Sequence, residues 1–82
     1  MTNEFMKIFG SNLKTARTNS DITQKEFAAI LGLAERSYQR YENGSNTPPY
    51  DTLVKIADHL NVSVDYLLNR TDDPTFNPVR LK

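Results

Sequence analysis

Between residues 35 and 42 the chain sets out Glu35, Arg36, Ser37, Gln39 and Arg40, side chains that can hydrogen-bond the flat polar edges of another molecule. Arginine carries a fork of donors that fits guanine O6 and N7. Glutamine can pair with adenine through both its amide atoms, and glutamate can accept from cytosine N4. Tyr38 and Tyr41 interrupt these polar residues three positions apart, with Leu33 just ahead. A helix over Glu35–Glu42 therefore turns its bulky bodies one way and its polar forks the other. A second chemistry, contact with anionic oxygens, is open to Thr23, Gln24 and Lys25 and to the loop residues Asn43, Asn46 and Thr47. Ser37 is a weaker candidate for the same role.

Local signals say how these groups are positioned. Thr23 is a good N-cap, and Glu26 three residues later completes a capping box, so a helix is expected to start at Gln24. Phe27, Ala28 and Leu31 form its inward stripe, and Gly32 supplies the left-handed residue that ends it. Asn43-Gly44 closes the polar helix that follows. Two short helices joined by a glycine-containing corner fit a helix-turn-helix, whose second helix enters the DNA major groove.

The flanking chain reads as support. Residues 3–18 form a first helix, capped by Thr2 or Asn3, with Phe5, Ile8, Phe9, Leu13 and Ala16 on one broad inward face. Gly10 within it is costly by propensity, and close packing against another helix is the expected reason. Thr18-Asn19-Ser20-Asp21 makes a turn in which Asn19 or Ser20 ends the helix, and Ile22 packs beneath the next one. Pro48 and Pro49 force extended backbone, and the Asn and Ser groups and free N–H groups of residues 45–47 suit phosphate. Helix four is expected from Tyr50 to His59, with Leu53, Ile56, Ala57 and Leu60 inward, Pro49 in its first turn and a left-handed Asn61 at its end. Ser63 caps helix five, Val64 to Asn69, whose apolar residues (Val62, Val64, Leu67 and Leu68) serve both the core and a dimer patch. Residues 1–69 then form the helix-turn-helix unit. Residues 70–82 form a polar tail whose Phe76, Val79 and Leu81 are candidates for docking on a partner subunit.

With these residues in view, a family resemblance is plain. Thr23-Gln24, Glu26, Ala28 and Leu31-Gly32 come first, then Tyr41 to Gly44, Pro48, Asp51 to Leu53, Lys55 to Ala57, Leu60 to Ser63 and Asp65 to Leu68. In that order and spacing they resemble the lambda repressor/Cro-type (XRE) helix-turn-helix family, from about Phe9 to Leu68. The resemblance implies an all-α, five-helix, lambda repressor-like domain. It also implies a sequence-specific DNA-binding transcriptional regulator, a repressor acting as a homodimer on a pseudo-palindromic operator in double-stranded DNA. Helix five and the tail would form the dimer contact. Glu35, Arg36, Gln39 and Arg40 would read bases; Thr23, Gln24, Lys25, Ser37, Asn43, Asn46 and Thr47 would hold phosphates. Arg17 and Glu42 would form a largely buried ion pair that pins the recognition helix to helix one. Two positions depart from the family pattern: Pro49 stands where a serine cap is usual, and Tyr38 where a smaller aliphatic residue is usual. Tyr38 is expected to bury its ring and keep its hydroxyl at the rim. The alternative role is that of an antitoxin or co-regulator working mainly through a protein partner.

Composition narrows the field. Eighty-two residues suit one domain, and with no cysteine there is neither disulfide nor cysteine-ligated zinc. The apolar runs are too short for a membrane span, and the N-terminus lacks a basic region followed by an apolar stretch, so a cytoplasmic location is expected. His59 is the only histidine and is expected to interact with a helix C-terminus. Without a nucleophile–base pair, a phosphate-binding loop or metal-ligand spacing, neither an enzyme nor a cofactor is expected. Ten basic and ten acidic residues cancel, and the two halves (1–44 and 45–82) carry six against five and four against five. Any positive face must come from placement, with Lys14, Lys25, Arg36 and Arg40 as its candidates.

Overall fold

Five helices run through the residues described by the computed structural model, 3–75: α1 (Asn3–Asn19), α2 (Gln24–Leu31), α3 (Glu35–Glu42), α4 (Tyr50–Leu60) and α5 (Val64–Leu67). The fold is all-α. Thr2, Phe76, Val79 and Leu81 lie outside the described residues. Asn3 is already the first helical residue of α1 rather than its cap.

The corner between α2 and α3 follows its local chemistry. The Thr23 hydroxyl accepts from Glu26 N–H at 3.0 Å, and Thr23 N–H donates to Glu26 Oε1 at 2.9 Å, which closes the capping box. Gly32 ends α2 at φ 74°. Phe27, Leu13, Tyr38, Ile56 and Leu67 are fully buried at the centre, and the rings of Phe27 and Tyr38 meet edge-on with centroids 5.5 Å apart. His59 is exposed at the end of α4 and lies edge-on to Phe27 at 6.4 Å, a contact beyond the expected helix-end position.

Several boundaries and faces differ from the sequence reading. α4 runs one residue further, to Leu60, before Asn61 takes φ 58°. Pro49 is its N-cap and not a first-turn residue, with no side-chain cap; one orphan N–H, that of Thr52, is taken by Asp51 Oδ1 at 2.9 Å. α1 ends at Asn19, and the left-handed residue of the following turn is Asp21, at φ 58°. Helix five stops at Leu67 because Asn69 turns left-handed at φ 64° and Arg70 N–H closes back onto Asp65 O at 2.8 Å. Its apolar residues mostly serve the core: Val62 and Leu67 are buried, while Val64 and Leu68 are half-buried against it. On α1, Phe9, Leu13 and Ala16 are buried, but Phe5 and Ile8 remain 46% and 39% exposed. The first turns of α1 lie beside the α3–α4 loop, which covers them only in part: Lys7 borders Gly44, and Phe5 lines a groove with Thr47 and Pro48. After α5 the chain returns. Ser63 N–H donates to Pro74 O at 3.1 Å, and Val62 and Thr75 form an isolated antiparallel bridge, so the first part of the expected tail is paired with the domain.

Gly10 marks the closest approach of α1 to α3. A Cβ there would sit 2.3 Å from Glu42 O and 2.7 Å from Tyr41 O, both backbone atoms that cannot swing aside. Close packing is thus the reason for a glycine in mid-helix. Gly10→Ala gains up to about 1 kcal/mol of helix propensity but forces the two helices apart, at a cost of typically 1–3 kcal/mol. The expected result is a lower melting temperature for Gly10→Ala by circular dichroism, whereas Ser11→Ala at the exposed next position should leave it unchanged or slightly raised.

Candidate nucleic-acid interface

α3 divides by side. Tyr38 and Tyr41 point into the core, Glu35, Arg36 and Arg40 are exposed, and Ser37 and Gln39 are half-buried. The ion pairs among the described residues are Arg17–Glu42 and the exposed Arg70–Asp65, so Lys14, Lys25, Arg36 and Arg40 are in none of them. Lys14, Gln24, Gln39, Glu42 and Asn43 border one open groove, which brings α1, α2 and α3 together.

Beneath that groove lies a buried polar knot. Arg17 Nε donates to Glu42 Oε2 at 2.5 Å and its Nη2 to Oε1 at 3.2 Å, with the two side chains only 8% and 4% exposed. Arg17 Nη1 donates to Ile22 O at 2.7 Å, which ties the same guanidinium to the start of α2. The Tyr38 hydroxyl donates to Glu42 Oε2 at 2.5 Å, and Gln24 Nε2 donates to Glu42 Oε1 at 2.9 Å. One carboxylate thus collects donors from α1, α2 and its own helix. No buried side-chain nitrogen or oxygen among the described residues is left without a partner.

The titration of these groups reflects their contacts. Burial alone would push the Glu42 carboxyl up, but the bonds from Arg17, Tyr38 and Gln24 outweigh it and hold the group below its ordinary range. The bond to Glu42 raises the Arg17 guanidinium further still. Burial, then the bond to Glu42, pushes the Tyr38 hydroxyl far above the usual tyrosine value. Tyr38 therefore differs from the expectation of a hydroxyl at the rim: ring and hydroxyl are both enclosed, because the hydroxyl completes the carboxylate's shell. Sequence reasoning missed Tyr38 and Gln24 as members of this knot, although Tyr38 and Glu42 stand four apart on one helix, where side chains meet.

The loop after α3 also differs from expectation. Its backbone N–H groups are not free: those of Ser45 and Asn46 donate to Arg40 O at 3.0 and 3.2 Å, and Ser45 N–H also reaches Asn43 Oδ1. Thr47 N–H donates to Asn46 Oδ1 at 3.0 Å. With their carbonyl oxygens turned to the loop, Asn43 and Asn46 keep only their amide N–H groups for anions. The Thr23 oxygen is taken by the cap, Lys25 is exposed, and Gln24 keeps one amide hydrogen beyond the one given to Glu42.

Residues 13–67 match the helix-turn-helix family model, and the chain belongs to this XRE-type helix-turn-helix family. It is 44% identical over 61 residues to the uncharacterized regulator YqaE of Bacillus subtilis, covering 74% of this chain and 53% of that one. It is 42% identical over 62 residues to the cryptic phage CTXphi transcriptional repressor RstR of Vibrio cholerae (73% and 55%). It is 36% identical over 72 residues to the antitoxin PezA of Streptococcus pneumoniae (88% and 44%). The chain spans about half the length of these curated relatives. Among solved structures, a helix-turn-helix transcriptional regulator from Vibrio cholerae superposes with TM-score 0.69 at 24% identity, over 83% of this chain and 38% of that one, a likeness of fold. No helix of the described residues is long and apolar enough to cross a membrane.

Two outcomes follow from the knot. Arg17→Met leaves a buried carboxylate without its counter-charge and is expected to cost about 3–5 kcal/mol, whereas Lys14→Met, at an exposed site, should barely move the melting temperature. Equal melting temperatures would contradict a structural role for the pair. The second concerns acid. Glu42 titrates below its unfolded value of 4.5, so its contribution to stability is complete above that pH and is lost as pH falls through the lower folded value. Thermal unfolding is expected to show this acid limb, and Glu42→Gln, though less stable throughout, should show a flatter one.

Proposed function

We propose that this chain is a sequence-specific DNA-binding transcriptional regulator, a repressor that binds a pseudo-palindromic operator as a homodimer. The observation that carries the reading is the exposed face of α3: Arg36 and Arg40 stand clear of every ion pair on a helix whose other side is buried. Arg36, Gln39 and Arg40, with Glu35, read base edges in the major groove. Gln24, Lys25 and Thr23 at the start of α2, with Ser37, Asn43, Asn46 and Thr47, hold the phosphates through side-chain donors. Residues 1–69 are the binding unit, with the tail from Arg70 onward as an accessory to it. Dimer contact at the end of helix five is supported by Leu68, the residue that caps it, which is half-buried and borders a groove with Phe5, Phe9, Thr47, Pro48 and Leu53. Two such units set their α3 helices in successive major grooves about 34 Å apart. A repressor among the relatives supports the direction of control. The protein acts by binding and without chemistry on its target, and a cytoplasmic location fits that role.

An antitoxin among the relatives favours a second reading, in which a protein partner matters as much as DNA. Salt separates the two. Fluorescence-anisotropy titration against a mixed duplex library at two salt concentrations is expected to give binding that falls steeply with salt and concentrates on a palindromic subset. Arg36→Ala/Arg40→Ala should lose it. If the wild type binds no duplex, the recognition helix is idle and the partner reading takes its place.

A further inference from the structure

We infer that Gln24, through its bond to Glu42, fixes which atom Gln39 shows to DNA, so that Gln39 reads bases as an acceptor only. The inference rests on α3 being the recognition helix, as proposed above. Its starting point is the Glu42 carboxylate, which is held ionised by Arg17 and can only accept. Gln24 lies 2.9 Å from Glu42 Oε1. Were its amide reversed, two acceptor oxygens would face each other with no proton between them, so the Gln24 nitrogen must face Glu42.

That choice propagates outward. With Nε2 committed to Glu42, Gln24 Oε1 faces Gln39 and accepts from its Nε2 at 3.4 Å. The same Gln39 nitrogen lies 3.4 Å from Glu35 Oε2, a second acceptor. Both hydrogens of the Gln39 amide therefore have acceptors within the protein, and its Oε1 is what remains for the groove. A glutamine free to turn can pair with adenine through both atoms, taking a hydrogen from N6 and giving one to N7. Gln39, held as it is, offers only the first half of that pair. It suits an exocyclic amino group, adenine N6 or cytosine N4, and gains nothing from a purine N7. Gln24 is thus a positioning residue for base selection in addition to holding a phosphate.

The test uses the operator selected by the wild-type protein. Selection with Gln39→Ala locates the base pair whose preference depends on Gln39. Two modified duplexes then probe that pair: one lacks the exocyclic amino group, and one carries a 7-deaza purine and so lacks N7. Removing the amino group is expected to weaken wild-type binding roughly tenfold, and removing N7 to leave it unchanged. Gln24→Leu removes the acceptor that sets the Gln39 amide, so there the amino-group effect should shrink and loss of N7 should be felt. Glu35→Ala leaves Gln24 in place and releases one Gln39 amide hydrogen toward the groove, so there loss of N7 should be felt while the amino-group effect stays. Wild-type sensitivity to N7, indifference to the amino group, or an unchanged pattern in both variants would overturn the inference, as would a Gln39→Ala selection that changes at no position. A uniform loss of affinity in Gln24→Leu with the pattern intact would also overturn it, leaving Gln24 a phosphate contact alone. If wild type binds no duplex at all, the regulator reading fails first and this one with it.

Discussion

Everything that faces outward from α3 depends on one carboxylate turned inward. Glu42 is the last residue of that helix, and it is held by Arg17 from α1, Gln24 from α2 and Tyr38 from its own helix. An isolated ion pair so deeply placed would be a doubtful source of stability, because desolvating two charges costs about as much as their attraction returns. Here the remaining valences are filled as well, which is the condition under which a buried polar cluster fixes a single arrangement. The arrangement fixed is the angle and depth of α3 on the scaffold. An eight-residue helix with so polar a sequence has little reason to persist alone. Its order comes from the two tyrosines in the core and from the carboxylate at its end.

Gly10 and Arg17 serve the same contact by opposite means. Gly10 lets the α1 backbone come within a bond's reach of the carbonyls at the end of α3, and Arg17, two turns on, binds the side chain at that end. A larger residue at the first position would lengthen the bond made at the second. The guanidinium also reaches Ile22 O, so the entry to α2 is set by the group that sets α3. The relation between the two helices of the motif is therefore fixed from beneath by α1 as well as by the turn and the direct contacts between them.

How much of this could be read from the chain follows from the range of the forces involved. The limits of α2 and α3, the capping box, the left-handed Gly32 and Asn61 and the reason for Gly10 are set by neighbouring residues or by one close approach, and the sequence displays them. The sequence carries helix five to Asn69 because Leu68 favours a helix, while a left-handed Asn69 and a bond back to Asp65 decide otherwise. Phe5 and Ile8 fall on the apolar stripe of α1, but what covers a stripe is a tertiary matter: the α3–α4 loop borders Phe5 and covers it only in part, and Ile8 also stays exposed. The loop N–H groups looked free because nothing in the sequence announces that the Arg40 carbonyl and two asparagine side chains will take them. Of the polar knot, the spacing allowed Tyr38 to meet Glu42. That Gln24 joins them is visible only in three dimensions.

The same bookkeeping of partners answers the charge problem. The chain is neutral overall, and α2 and α3 together carry Lys25, Arg36 and Arg40 against Glu26, Glu35 and Glu42. These charges are not equally available. Glu26 is turned back onto the Thr23 N–H, and Glu42 is enclosed by three side chains, whereas the two arginines and the lysine are exposed and outside any ion pair. Of the acids, Glu26 is exposed but engaged at the α2 cap, and Glu35 is exposed on α3 within reach of the Gln39 amide. A field at the surface is made by the charges that solvent and ligand can approach, since opposed pairs cancel within a few ångströms. Enclosing Glu42 against Arg17 leaves Lys25, Arg36 and Arg40 against Glu26 and Glu35 at the surface of the two helices, an excess of positive charge that the formal sum conceals, and it is the same Glu42 that holds the helix in place.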